Sequence, residues 1–286
     1  MSAEEESGAW GEGECAKSEE AGSAPRGVAP WWHTVSLLAG LTALTLMGAS
    51  HLLQPYLPVG VLGSYGVAAV GEALMLLWVL FGLRLQHLPL RAILGEFSFR
   101  PGAFFRDLGV AAVAWLCIMA ILGTLNLVWM ATEKIREERS ATVAMQRSTQ
   151  PAQKLPAGLR GPMQKAVAAM APSNGVEMLS WLLLCVLVGI TEEMVFRGYL
   201  MSQFLAWFSC WPRLRVLAAV ALASILFGGA HLYQGARGIV LITLFGAMLS
   251  VLALKRRSLR VGMMVHIGQD MLAGVGMAFL KSQHLI

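Results

Sequence analysis

Residues 181–208 read WLLLCVLVGITEEMVFRGYLMSQFLAWF. The run is long enough to cross a bilayer, which takes roughly 20 apolar residues, yet it holds Glu192, Glu193 and Arg197 well inside its ends. An ionisable side chain at membrane depth is costly unless it is paired or faces water. Glu193 and Arg197 stand four apart, on one face of a helix, in the order that favours an ion pair. Glu192 lies about 100° round the helix from Glu193, so it is the less neutralised carboxylate and is free to handle a proton. A charge cluster at a helix end would be the plainer explanation if the span stopped there. It does not, because MVFRGYLMSQFLAWF continues apolar beyond it.

The rest of the chain has the same character. Of 286 residues, 56% are hydrophobic and only 14% charged, against roughly 25% charged in soluble domains, and the mean hydropathy is +0.62. Apolar runs fall at 34–53, 61–83, 107–131, 176–204, 214–232, 237–254 and 261–280. No strand alternation competes with them, and a chain in lipid must satisfy its backbone within helices or a closed barrel. The fold class expected is all-α, a polytopic membrane bundle of seven transmembrane helices, or eight if the fourth run is broken. The four cysteines, Cys15, Cys117, Cys185 and Cys210, have no metal-ligand spacing and read as small apolar residues.

Four regions follow. Residues 1–30 hold seven Glu against Lys17 and Arg26 and read as an acidic, disordered cytoplasmic tail. The next, 31–131, holds the N-terminal transmembrane helices, the first retained rather than cleaved as a signal. Segment 132–175 is a polar connector or flap, and 176–286 holds the membrane core with the chemistry. Basic residues concentrate in 84–106, in the turn with Arg213 and Arg215, and in KRRSLR at 255–260. With a cytoplasmic N-terminus and seven spans, all three fall on the cytoplasmic side, as basic loops prefer. Segment 132–175, with seven Lys or Arg against three Glu, lies opposite and conflicts with that count. This distribution sets topology and gives no reason to expect nucleic acid as a partner.

Two further stretches place polar groups in apolar helices. FGGAH puts His231 after a glycine pair, and a turn around Cys210–Pro212 folds its helix back on the one bearing Glu192. Glu192 and His231 lie about equally far from that turn, roughly 30 Å along their helices, and therefore at one level. Gly228 and Gly229 would let those helices approach closely. HIGQD sets His266 and Asp270 four apart on one face of the last span, a spacing that suits the lining of a wet cavity. Counting from the KRRSLR turn makes this pair shallower than Glu192 and His231, a gap that tilt or bending must close. Two Glu, two His and one Asp could ligate zinc, with Glu192, His231 and His266 the set if a metal is needed. The H-E-x-x-H helix is absent and Arg197 disfavours a second cation, so a metal-free acid–base site is expected and no cofactor.

EEMVFR, FGGAH and HIGQD, in that order on successive helices, resemble the CPBP family, which comprises type II CAAX prenyl endopeptidases and the bacteriocin-processing ABI proteins. The resemblance covers about 176–280. It implies an intramembrane glutamate peptidase in which Glu192 and His231 activate a water, His266 and Asp270 stabilise the oxyanion, and Glu193 and Arg197 support Glu192. It implies a substrate that is a membrane-embedded or prenylated peptide, with membrane lipid around it. The family's eukaryotic prenyl proteases carry Asn where this chain has Asp270. An ionised Asp cannot donate to an oxyanion, so Asp270 must be protonated or must orient His266.

The function expected is therefore an integral, multi-pass membrane endopeptidase, placed in a prokaryotic plasma membrane by its compact length and acidic tail. Two readings compete with it. One is a non-catalytic membrane protein, an immunity protein, scaffold or proton-coupled carrier. The other is a zinc-dependent membrane protease built on the same residues.

Overall fold

The computed structural model describes residues 27–49, 60–96, 100–147, 170–211 and 213–284. The acidic stretch 1–26 and the Pro- and Gly-broken part of the connector, 148–169, lie outside them, and so does the flap reading of that connector. Eight helices follow in order: α1 (Trp31–Ala49), α2 (Val61–Leu85), the single turn α3 (Arg91–Leu94) and α4 (Pro101–Arg147), then α5 (Gly175–Trp207), α6 (Arg215–Ala230), α7 (Gly235–Arg256) and α8 (Arg260–Ser282). Among the described residues there is no strand, only an isolated bridge between Gly95 and Ser258. The chain is an all-α membrane bundle.

Among the described residues, five helices are long and apolar enough to cross a bilayer: α2, α4, α5, α7 with the short turn before it, and α8. Helix α6, with 16 residues, is shorter than the run 214–232 suggested. The fourth run is not broken, since α5 continues through all three charges. Helix α4 extends past the apolar run 107–131, to Arg147 in the segment read as a connector. Leu116, Val113 and Leu127 on α4 and Leu74 and Leu77 on α2 are exposed, as suits faces turned to hydrocarbon.

The core forms around α5. Between Glu193 and Leu200 its backbone widens into a π-helix, and all eight residues of that stretch are buried. Phe196, Tyr199, Leu200, Phe204, Phe227 and Leu249 pack together there. The N-terminal helix is tied to the same stretch. The Tyr199 hydroxyl lies 2.7 Å from His33 Nδ1 and 2.9 Å from Thr34 Oγ1, and His33 stacks on Trp78 of α2. Gln203 accepts from Ala29 N at 3.2 Å and donates to Ala29 O at 3.1 Å. Residues 27–30, read as the end of the acidic tail, are instead packed against the core, with Ala29 buried.

Helix α8 lies antiparallel against α5, in a register set by four close approaches: Gly198 to Leu259, Gly262 to Glu193, Gly189 to Ile267 and Gly274 to Trp181. A Cβ on Gly262 would stand 2.9 Å from Glu193 Oε2, so a side chain there would displace the carboxylate from its seat against α8. This register removes the depth gap expected for His266 and Asp270. The α7–α8 turn docks at Gly198, nine residues before α5 ends, roughly 13 Å deeper than the Arg213–Arg215 turn. Counting from the turns fails because the two turns are not level.

Buried Asp107 of α4 holds that turn in place, accepting from Arg256 Nη2 at 2.7 Å and from Arg260. Arg256 and Arg260 of KRRSLR thus pair with a buried carboxylate of α4. Gly228 also differs from expectation: it faces Thr243 and Ile239 of α7 rather than α5, and a Cβ added at Gly229 would meet nothing within 4 Å.

Candidate active site

The π-helical stretch presents Glu193 and Arg197 inward, on the side where α8 crosses. Glu193 is fully buried, and its Oε1 stands 2.9 Å from Arg197 Nη1 and 3.1 Å from His266 Nδ1. The carboxylate accepts, so His266 Nδ1 carries the proton of that bond. The Arg197 guanidinium carbon also lies 4.0 Å from the centre of the Phe227 ring. The pair expected from the i, i+4 spacing is therefore formed, and it also fixes the tautomer of His266.

Glu192 faces the other way. Its side chain is 12% exposed where Glu193 is 0%, and it lines a cavity of about 720 Å³. His266 Nε2, on the far side of its ring from Glu193, points to the same space, 3.4 Å from Glu192 Oε2 and 3.6 Å from Asp270 Oδ2. Asp270, the most exposed of the three carboxylates at 30%, lies one turn further along α8. The Asp270 carbonyl accepts from Trp181 Nε1 at 3.0 Å, and neighbouring Gln269 accepts from Trp115 Nε1 at 2.9 Å. Two tryptophans from different helices thus fix where α8 places its polar face.

His231 closes the site from α6. It caps that helix, and its Nδ1 lies 2.8 Å from the Phe227 carbonyl. A carbonyl only accepts, so Nδ1 holds the hydrogen and Nε2 is left as the acceptor of a neutral ring. Phe227 supports the whole arrangement. Its ring meets His231 edge-on at 5.1 Å and His266 at 5.7 Å, beneath the Arg197 guanidinium. The four groups Glu192, His231, His266 and Asp270 all line the one cavity. Sequence reasoning had brought Glu192 and His231 to one level, and the cavity contains both.

Residues 174–272 match the family of type II CAAX prenyl endopeptidases, Rce1-like. The match spans all three motifs and supports the resemblance read from them. A CAAX-type membrane protease is what it indicates, and five long apolar helices make the protein integral and multi-pass. No curated protein and no solved structure matches the chain. The matched segment excludes α1 and α2, yet Leu41, Leu44 and Thr45 of α1 and Ala68, Glu72 and Met75 of α2 form one wall of the cavity. Glu72 is the ionisable residue that sequence reasoning missed. It stands alone in an Ala-, Gly- and Leu-rich span, with no charged partner at helical spacing to mark it.

Among the described residues, no three His, Cys, Asp or Glu side chains are grouped so as to hold a metal ion. Within the set considered for zinc, His231 and His266 each commit Nδ1, to the Phe227 carbonyl and to Glu193.

Proposed function

We propose that this protein hydrolyses a peptide bond within the membrane, with water activated by Glu192 and His231. The observation that supports the reading is the convergence of Glu192, His231, His266 and Asp270, from three helices, on a single cavity. A water between Glu192 and His231 Nε2 meets two acceptors, so both its hydrogens are held and its lone pair is turned to the substrate. As its oxygen bonds to the scissile carbonyl carbon, its proton passes to Glu192. The carbonyl oxygen gains charge and is met by His266 Nε2, which donates when the ring carries both protons. Glu193 and Asp270 supply countercharge to that imidazolium. Collapse of the tetrahedral intermediate breaks the C–N bond, and Glu192 returns its proton to the leaving amine. General acid–base action of this kind contributes about 10²–10⁴-fold, and an oxyanion donor about 10²–10³-fold.

Glu193 and Arg197 act through these groups rather than on the substrate. Glu193 holds His266 by Nδ1, so that Nε2 faces the cavity, and Arg197 neutralises Glu193. The proposed substrate is a prenylated C-terminal peptide or another membrane-inserted tail, and the proposed chemistry needs no metal ion.

The purified protein, assayed in detergent with a farnesylated CAAX peptide, should release the last three residues and keep doing so in excess chelator. In the same assay Asp270→Asn should stay within about tenfold of wild type, because the amide can orient His266 or donate itself. Asp270→Ala should lose about 10²-fold. Activity that vanishes on chelation and returns with zinc would replace this mechanism with a metal-dependent one.

A further inference from the structure

One carboxyl on the cavity wall has no part in the mechanism above. Glu72 lies near the middle of α2, beside Ala68, Gly71 and Met75, which line the same space. Its Oε2 is closed off from solvent and has no hydrogen-bond partner among the described residues. It interacts electrostatically across the cavity with Glu192, His266 and Asp270. A carboxyl at this depth is costly without a partner, and the described protein does not supply one. Arg197 does not answer it, being paired with Glu193. The ionisable residues lining the cavity, among those described, are acidic or His: Glu72, Glu192, Asp270, His231 and His266, with Cys185 and Tyr233 beside them. Carboxyls of one sign between apolar walls concentrate negative potential and draw cations.

We propose that Glu72 selects the substrate by taking a cationic side chain, Lys or Arg, from one of the first two residues after the scissile bond; this rests on the peptidase reading of the same cavity. A peptide held extended against Glu192 and His231 sends successive side chains to opposite sides, so one of them is directed at α2. A lysine stem can lie along Met75 and Leu184 while its ammonium reaches the carboxyl, the way long basic side chains bury their methylenes. Where the carboxyl holds a proton, the ammonium replaces it and the net charge of the cavity does not change. Aspartate or glutamate at the same position would be rejected by the same field.

The test uses full-length protein in detergent and farnesylated CAAX peptides carrying either Lys or norleucine after the scissile bond, in one pair at the first released residue and in another at the second. Binding and cleavage are both measured, for wild type and Glu72→Gln. In one of the two pairs wild type should bind the lysine peptide about tenfold more tightly, the scale of a charge-assisted hydrogen bond. Glu72→Gln should bring that ratio close to one, raising KM for the lysine peptide with far less effect on kcat. Equal binding of lysine and norleucine in both pairs overturns the inference, as does a Glu72→Gln that lowers kcat on every peptide alike. Lysine-selective binding without cleavage would uphold the inference and remove the peptidase reading. Cleavage with no such selectivity would do the reverse.

Discussion

Glu192→Gln and His231→Gln should each lower kcat/KM for peptide cleavage by about 10³-fold, within the range of a lost general base. The double substitution should be little worse than either single one. Groups that act on one water work as a unit, so removing the second after the first changes little. Both substitutions suit the site sterically. Glu192 Oε2 makes no hydrogen bond, so an amide of equal size leaves the packing intact, and His231 sits at a helix end beside the cavity rather than in the core. The unfolding midpoint of Glu192→Gln in detergent should therefore match wild type. Independent, multiplicative losses would show that the two residues do not share a water. A wild-type rate in Glu192→Gln would remove it from the chemistry.

Arg197→Ala should damage the fold itself. Its guanidinium is buried between Glu193 and the Phe227 ring, and truncation leaves the Glu193 carboxylate uncompensated in an interior with no exposure. Breaking a buried pair from one side costs about 3–5 kcal/mol, and a desolvated cation–π contact adds up to about 2 kcal/mol. The measurement is the midpoint of thermal or denaturant unfolding in detergent micelles. The companion variant separates stability from function. Glu193→Gln with Arg197→Met leaves no lone buried charge and should recover much of the lost stability. It should still cleave poorly, since His266 loses the carboxylate that orients it. An Arg197→Ala protein as stable as wild type would mean that Glu193 is not held as a carboxylate by this pair.

How much of this was legible in the sequence depended on what kind of contact was involved. The all-α bundle was legible because helices in lipid are apolar on most faces; the number of spans was less so, since seven apolar runs were read and five of the described helices are long and apolar enough to cross. The Glu193–Arg197 pair was legible because i, i+4 spacing is a local fact about one helix. The level match of Glu192 and His231 followed from symmetric counting about a single turn. Contacts between helices that are far apart in sequence were not legible. The depth of His266 depends on where the α7–α8 turn docks, and that is set by Asp107, Arg256 and Arg260 together with Gly198. Gly228 signals a close approach but not which helix approaches, and the partner is α7. The π-helix left no mark in composition, although it is the stretch that buries eight consecutive residues and turns Glu193 toward α8. Glu72 was the largest omission, because a single carboxyl in α2 gains meaning only once the cavity shows what it faces.

The most direct measurement of the central claim is mass spectrometry of C-termini in membranes containing the wild-type protein, compared with membranes containing Glu192→Gln at equal abundance. New C-termini that appear with wild type and are missing with Glu192→Gln, each created at a bond near or inside a membrane segment, are the predicted result. Identical C-termini in the two membranes, with both proteins folded, would contradict it.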